Sequence, residues 1–217
     1  MMKNSAIILA SGNGSRMKND MPKQFISIKN KMILEYSIDE FLKNDMVDEV
    51  IVVCKEGWIE KLKKKYSDIK IVSGGKTRLE SSYIGLSACG KNIENVLIHD
   101  AARPLIDQKL ISACIENLKN YDAVIPTISC NDSIIDHIDI DYINRNEIKF
   151  VQTPQGFKLN QILNAYRSLN KKCSDDFSVL LNKKQNIKHK FIDGSNKNIK
   201  ITTSEDLSLV NYYLNEK

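Results

Sequence analysis

Three short stretches carry side chains whose types and spacing suit phosphate chemistry. The first is Leu9-Ala10-Ser11-Gly12-Asn13-Gly14-Ser15-Arg16-Met17, with Pro22-Lys23-Gln24-Phe25 close behind. Gly12 and Gly14 have no Cβ to keep backbone N–H groups away from a bound anion. Arg16 and Lys23 add two cations just past the turn. A strand running into a glycine-rich turn with cations behind it is built for phosphate. The second stretch is Gly74-Gly75-Lys76-Thr77-Arg78-Leu79-Glu80-Ser81-Ser82. Arg78 and Ser81 are three apart, on one side of a first helical turn, where an arginine and a hydroxyl beside unpaired N–H groups can hold a nucleotide. The third is His99-Asp100-Ala101-Ala102-Arg103-Pro104. A carboxylate such as Asp100, at a strand end beside a triphosphate cradle, suits Mg²⁺, which keeps waters, bridges phosphates and can manage with one protein ligand. His99 reads as a structural hydrogen-bonding residue rather than a base.

Two familiar phosphate loops do not fit the first stretch. A dinucleotide fingerprint fails at Met17, where its third glycine belongs, and the second strand ends Val52-Val53-Cys54 without the acid that holds a ribose. A nicotinamide-dependent oxidoreductase is therefore the remote alternative. A Walker A loop is set aside on the reading that no G-K-[ST] is present.

The elements that must position these residues alternate along the chain. Short apolar strands are expected at Ala6–Ala10, Val50–Val53, Ile69–Val72, Val96–Ile98 and Ala123–Ile125, with late strands at Phe191-Ile192 and Ile199-Lys200-Ile201. Helical faces are expected over 32–43, around Trp58–Leu62, through Leu79, Tyr83 and Leu86, and after Asp107. Others are expected through Leu159–Leu169, from Asp175-Asp176 to Leu181, and from about Ser204. This pattern predicts an α/β fold: a single-domain, Rossmann-like, mostly parallel sheet with helices on both faces. Ligands of such sheets bind beyond the carboxyl ends of the strands, which gathers Gly12, Gly75 and Asp100 on one edge. The pattern lapses over 129–149, where Asn131, Asp132, Asp136, Asp139, Asp141, Asn144 and Asn146 interrupt short apolar pairs. That segment reads as a protruding arm and a dimer contact.

The 217 residues suit one domain spanning 1–217. A net charge of +5 suits an anionic substrate. The basic runs at Lys61–Lys65 and Lys183–Lys190 lack interleaved aromatics and read as solvated faces rather than a nucleic-acid surface. The five cysteines are odd in number and never in C-x-x-C, which points to a reducing cytoplasm rather than to disulfides or a zinc site. Ala6–Ala10 is too short for a signal peptide or a membrane span.

The first stretch, A-x-G-x-G-x-R-M followed by P-K-Q, resembles the signature of cytidylyltransferases that activate polyol phosphates. The resemblance is to the 2-C-methyl-D-erythritol 4-phosphate cytidylyltransferase family of the non-mevalonate isoprenoid pathway, with ribitol-5-phosphate cytidylyltransferases as close relatives. It runs from about Ser5 to Leu214. His99-Asp100-Ala101-Ala102-Arg103-Pro104 and Ser174-Asp175-Asp176 are similar to the H-D-A-A-R-P and T-D-D of the methylerythritol branch, whereas ribitol enzymes more often carry H-D-A-V-R-P. The chain departs from the family at Ser11, commonly Ala, and at Ser133, usually Thr. What the resemblance implies is transfer of CMP from CTP to a polyol phosphate with Mg²⁺ on Asp100. Ala10, Ser11, Gly12, Gly14, Gly75, Arg78, Ser81, Asp100 and Ala101 would hold the nucleotide. Arg103, Ser133, Arg145, Thr153 and Lys200 would meet the acceptor. Arg16, Lys23, Arg145 and Lys200 would serve catalysis, in a homodimer that exchanges its arms.

Overall fold

Apolar runs with no polar alternation need cover on both faces, and the computed structural model provides it. The structure describes residues 2–12, 21–183 and 186–216. The strands are β1 (Lys3–Ala10), β2 (Ser27–Ile28), β3 (Lys31–Met32), β4 (Glu49–Cys54), β5 (Lys70–Ser73), β6 (Ile93–Asp100), β7 (Ala123–Ser129), β8 (Ile134–Asp136), β9 (Asp141–Ile143), β10 (Lys149–Val151), β11 (Gln155–Lys158) and β12 (His189–Asp193). The helices are α1 (Ile33–Leu42), α2 (Glu56–Lys65), α3 (Arg78–Ser87), α4 (Gln108–Asn117), α5 (Leu159–Arg167), α6 (Asp176–Leu181) and α7 (Ser204–Asn215).

β1 lies centrally, parallel to β4 on one side and β6 on the other, with β5 beyond β4. Ala6, Ile8 and Ala10 pack on one face with Leu34, Ile38 and Phe41 of α1, Leu62 of α2 and Leu110, Ile111 and Cys114 of α4. Ile7 and Leu9 pack on the other face with Leu86 of α3, Ile162 and Tyr166 of α5, and Phe177 and Leu180 of α6. The approach of α3 is close: a Cβ added at Gly85 would lie 2.5 Å from Ile7 Cγ2. The helices expected after Asp107 and from Asp175-Asp176 begin there with side-chain caps, Asp107 accepting from Leu110 N at 2.8 Å and Asp175 from Ser178 N at 2.9 Å.

Gln155–Lys158, to which the sequence pattern assigns no element, is a strand that runs antiparallel between β6 and β7. One expectation needs correction: Ile199–Ile201 is not a strand. Its apolar residues do pack, Ile201 being fully buried against α7 and Ile33. Its polar groups, however, go elsewhere: Ile201 N donates to Ala102 O at 2.8 Å, the Lys23 ammonium donates to Ile201 O, and Arg103 Nη1 donates to Asn198 O at 2.7 Å. Backbone groups already committed to side chains and to the Ala102 carbonyl leave no ladder to extend.

The 129–149 segment forms the β8–β9 hairpin, which pairs with no other described strand. Ile138, Ile140 and Tyr142 stand 78%, 77% and 73% exposed on it. No helix among the described residues is long and apolar enough to cross a membrane.

The end of β6, where the sheet meets the cleft, is braced from both sides. His99 is fully buried, with Nε2 3.1 Å from Arg103 O and Nδ1 3.2 Å from the Thr153 hydroxyl. The same Thr153 Oγ1 accepts from Asp100 N at 3.1 Å. These partners define a neutral imidazole that donates through Nε2 and accepts at Nδ1. Burial pushes the imidazole down to about 4, although Asp100 and the Arg103 carbonyl favour its charged form. The unfolded chain then binds the extra proton between roughly pH 6.5 and pH 4, so stability is full above that window and falls as pH drops through it. The expected loss between pH 7.5 and pH 5 is about 2 kcal/mol from this residue. Urea denaturation at the two pH values should show it, and His99→Gln should flatten the difference.

Candidate active site

The site grows from the carboxyl ends of β1, β4, β5 and β6. A cleft of about 560 Å³ opens there, lined by Leu9, Ser11, Gly12, Gln24, Gly74, Gly75, Thr77, Ala102 and Thr202 together with the charged groups described below. Ser11-Gly12 and Gly74-Gly75 form one wall. Ser11 Oγ and Ser81 Oγ share a 2.7 Å hydrogen bond, and Gly75 N donates to Ser81 Oγ at 3.1 Å. Gly74 permits this contact, since a Cβ there would lie 2.4 Å from the Ser11 Cβ. The reading that no G-K-[ST] is present needs correction: Gly75-Lys76-Thr77 spells the end of a Walker A loop, although Lys70 stands where that motif has its first glycine. Thr77 Oγ1 is spent capping α3 through Glu80 N.

Gln24 braces the other wall. Its amide donates to Ala10 O at 2.7 Å and to Gly12 O at 2.8 Å, which ties the P-K-Q segment to the loop it follows. Phe25 beside it stacks on Trp58 with ring centroids 3.8 Å apart. Ala101 N closes the floor by donating to Leu9 O at 3.1 Å.

Charge is arranged around one carboxylate. Asp100 Oδ2 lies 2.6 Å from Lys200 Nζ, and Oδ1 lies 3.2 Å from Arg78 Nε. Burial by itself would raise the Asp100 carboxyl, but Arg78, Lys200 and Arg103 outweigh it and hold the group well below the usual carboxylate range. Asp100 is therefore ionised at neutral pH. Arg78 reaches further, to Asp176 Oδ2 at 2.7 Å. Burial would lower its guanidinium, yet Asp176 and then Asp100 keep it above the ordinary arginine value. The Arg103 guanidinium is pushed down by burial. Its Nε is buried without a hydrogen-bond partner among the described residues. Lys23, Lys55, Lys76, Arg78 and Lys200 line the cleft, against Asp100 as the one acid in that lining among the described residues. A site so composed attracts a polyanion.

Of the residues singled out in the sequence, the structure brings Ser11, Gly12, Lys23, Gly75, Arg78, Asp100 and Lys200 into the cleft lining. Ser81 supports that wall, while Ala10 and Ala101 hold its floor. Gly14 and Arg16 lie outside the described residues. Thr153 is buried with its hydroxyl committed to Asp100 N and His99. Ser133 and Arg145 sit in the 129–149 segment, outside the cleft lining, with Arg145 Nη1 donating to Asn131 O at 2.6 Å. Lys55, Lys76 and Thr202 were missed. Lys55 directly follows the end of β4, so the rule that ligands meet strand carboxyl ends could have found it. The described residues hold no group of three or more acidic, histidine or cysteine side chains able to cage a metal ion. Asp100 is instead a lone hard-oxygen donor facing a space suited to phosphates, which fits a Mg²⁺ held jointly by protein, substrate and water.

Comparison with known proteins agrees with this geometry. Residues 5–216 match the family model of 2-C-methyl-D-erythritol 4-phosphate cytidylyltransferase. The chain is 43% identical to the protein of that name from Clostridium botulinum (strain 657 / Type Ba4), with 96% of each covered. It is 38% identical to that from Clostridium beijerinckii, with 97% of each covered. The fold superposes on the crystal structure of 4-diphosphocytidyl-2C-methyl-D-erythritol synthase from Anaerococcus prevotii DSM 20548 with a TM-score of 0.86, at 31% identity and 99% coverage of both chains. A match over nearly the whole chain, with the glycine loops and Asp100 gathered at one sheet edge, leads to one conclusion: the chain belongs to the 2-C-methyl-D-erythritol 4-phosphate cytidylyltransferase family.

Proposed function

We propose that the cleft transfers CMP from CTP to 2-C-methyl-D-erythritol 4-phosphate and releases pyrophosphate, supplying the non-mevalonate route in the cytoplasm. The observation that carries the reading is a cleft wall of five cations around a single ionised carboxylate, set between two glycine loops. The acceptor's phosphomonoester has a second pKa of about 6 and is largely dianionic at neutral pH, so it needs no general base. Its oxygen attacks the α-phosphorus in line, a new P–O bond forms, and the bond to the β-phosphate oxygen breaks. The barrier lies in bringing two polyanions together and in the charge on the transferring group. Catalysis is then positioning and electrostatic stabilisation.

In this reading the Ser11, Gly12 and Gly75 loops, with Ser81 behind them and Arg78 beside them, hold the nucleotide. Lys23, with Arg16, stabilises the α-phosphate and the leaving pyrophosphate. Lys200 and Arg103 orient the acceptor phosphate. Asp100 would hold Mg²⁺ together with the triphosphate, and the ion would supply charge neutralisation. Thr153 contributes by fixing the end of β6 that presents Asp100.

The arm completes the site from a second subunit. Ser133 and Arg145 flank the base of the β8–β9 hairpin, which leaves Ile138, Ile140 and Tyr142 unburied. Covering those side chains in a homodimer would place the polar arm residues at the partner's cleft.

Pyrophosphate release from CTP and Mg²⁺ tests the acceptor. It should be fast with 2-C-methyl-D-erythritol 4-phosphate and slow with D-ribitol 5-phosphate; the reverse preference would overturn the assignment. Lys23→Ala should lower kcat by about 10²–10³ while leaving CTP affinity nearly intact, and unchanged turnover would remove Lys23 from the catalytic set. Arm exchange can be read by complementation. Mixing inactive Lys23→Ala with inactive Arg145→Ala under conditions that re-form dimers should restore about a quarter of wild-type activity, because half the dimers are mixed and each has one intact site. No recovery would place Arg145 in its own subunit's site.

A further inference from the structure

One fully buried acid near the cleft has no part in the chemistry above. Asp176 is the first residue of α6. Its Oδ1 accepts the Tyr166 hydroxyl at 2.6 Å, and its Oδ2 forms the 2.7 Å ion pair with Arg78 Nη2. Arg78 in turn directs Nε to Asp100 Oδ1. The guanidinium is thus held between two carboxylates, Asp176 at Nη2 and Asp100 at Nε, which fixes its position at the cleft wall. Nη1 is buried and has no hydrogen-bond partner among the described residues.

Asp176 is itself held in register with the sheet. Gln155 of β11 donates through Nε2 to Asp175 Oδ2 at 2.7 Å and accepts at Oε1 from Phe177 N at 3.0 Å. The residues on either side of Asp176 are thus pinned by one side chain from the strand beside β6. Tyr166 on α5 fixes the carboxylate's rotation from the opposite side. A buried ion pair is weak evidence for stability, because apolar residues of similar volume often do as well or better. One that grips a cleft-lining arginine has another use.

We propose that Asp176 is a positioning residue for the nucleotide subsite: oriented by Tyr166, it holds the Arg78 guanidinium at the cleft wall and takes up part of its charge, so that Arg78 does not collapse onto Asp100. This rests on the reading that Arg78 meets CTP. Without the Asp176 charge, Arg78 would keep only Asp100 as an anionic partner. The nucleotide would meet a displaced cation, and Asp100 would be more fully neutralised.

The test is a double-mutant cycle read by calorimetric CTP binding to the full chain without acceptor, with folding checked by circular dichroism. Asp176→Asn keeps the shape and removes the charge, and should weaken CTP binding about tenfold. Arg78→Gln should weaken it at least as much, and in that background Asp176→Asn should add less than about twofold. KM for the acceptor should stay nearly constant in Asp176→Asn, which a general loss of structure would not allow. Tyr166→Phe, which removes a single hydrogen bond, should weaken CTP binding about threefold and decides the matter if Asp176→Asn does not fold. If Arg78→Gln weakens CTP binding but Asp176→Asn or Tyr166→Phe does not, the positioning role is overturned while the site reading stands. If Asp176→Asn costs the same factor with and without Arg78, the role is overturned as well. If Arg78→Gln leaves CTP affinity unchanged, the nucleotide reading of Arg78 falls and takes this inference with it.

Discussion

A carboxylate buried at the end of a central strand must find cations, and the rest of this site follows from how Asp100 finds them. Arg78 comes from the start of α3 and Lys200 from the irregular segment before α7, 22 and 100 residues away in sequence. Lys23 then reaches the carbonyl of Ile201, next to Lys200, so the segment after the first glycine loop is tied to the same cluster. Each tie joins a different element to the end of β6. The cluster is at once the electrostatic centre of the cleft and the fastening between parts of the chain that share little backbone pairing.

Rigid placement of this kind suits a reaction that asks for no proton transfer. The work is to hold two polyanions in line, and the energy for that comes from dipoles and charges already in place before substrate arrives. The supporting contacts point the same way. Gln24 clamps the carbonyls of Ala10 and Gly12, the Ser11 and Ser81 hydroxyls lock the two loops together, and Thr153 holds the Asp100 amide. These groups line or back the cleft without needing to touch phosphorus. His99 belongs with them: neutral and fully enclosed, it joins Thr153 to the Arg103 carbonyl and has no route to act as a base.

The arm follows a different logic. Its apolar side chains are exposed while its polar ones punctuate the hairpin, the reverse of a stable isolated surface. Arg145 and Ser133, at the base of this hairpin, are not among the residues that line the cleft.

Much of this was legible in the linear chain. Unbroken aliphatic runs at Ala6–Ala10 and Val50–Val53 are compatible with a doubly covered sheet and little else, and the apolar stripe around Ile33, Leu34, Ile38 and Phe41 specifies a one-sided helix. Gly12, Gly75, Arg78 and Asp100 could be chosen for chemistry because their types suit phosphate and strand order places them at one edge. Local pattern could not reveal that Gln155–Lys158 inserts antiparallel beside β6, since four residues read equally well as strand or lead-in to a helix. Nor could it show that Ile199–Ile201 stays out of the sheet, because that outcome depends on Lys23 and Arg103 arriving to take the carbonyls of Ile201 and Asn198. Asp176 is the sharpest case. In sequence it is the second residue of a helix cap, and only the packing of α5 and α6 against α3 makes it the counter-charge of Arg78. Residue types and periodicity determined the layers and the phosphate chemistry, because those depend on short-range pattern. The pairing of charges was decided by tertiary structure, because a buried ion pair depends on what lies across the core, not on what lies next in the chain.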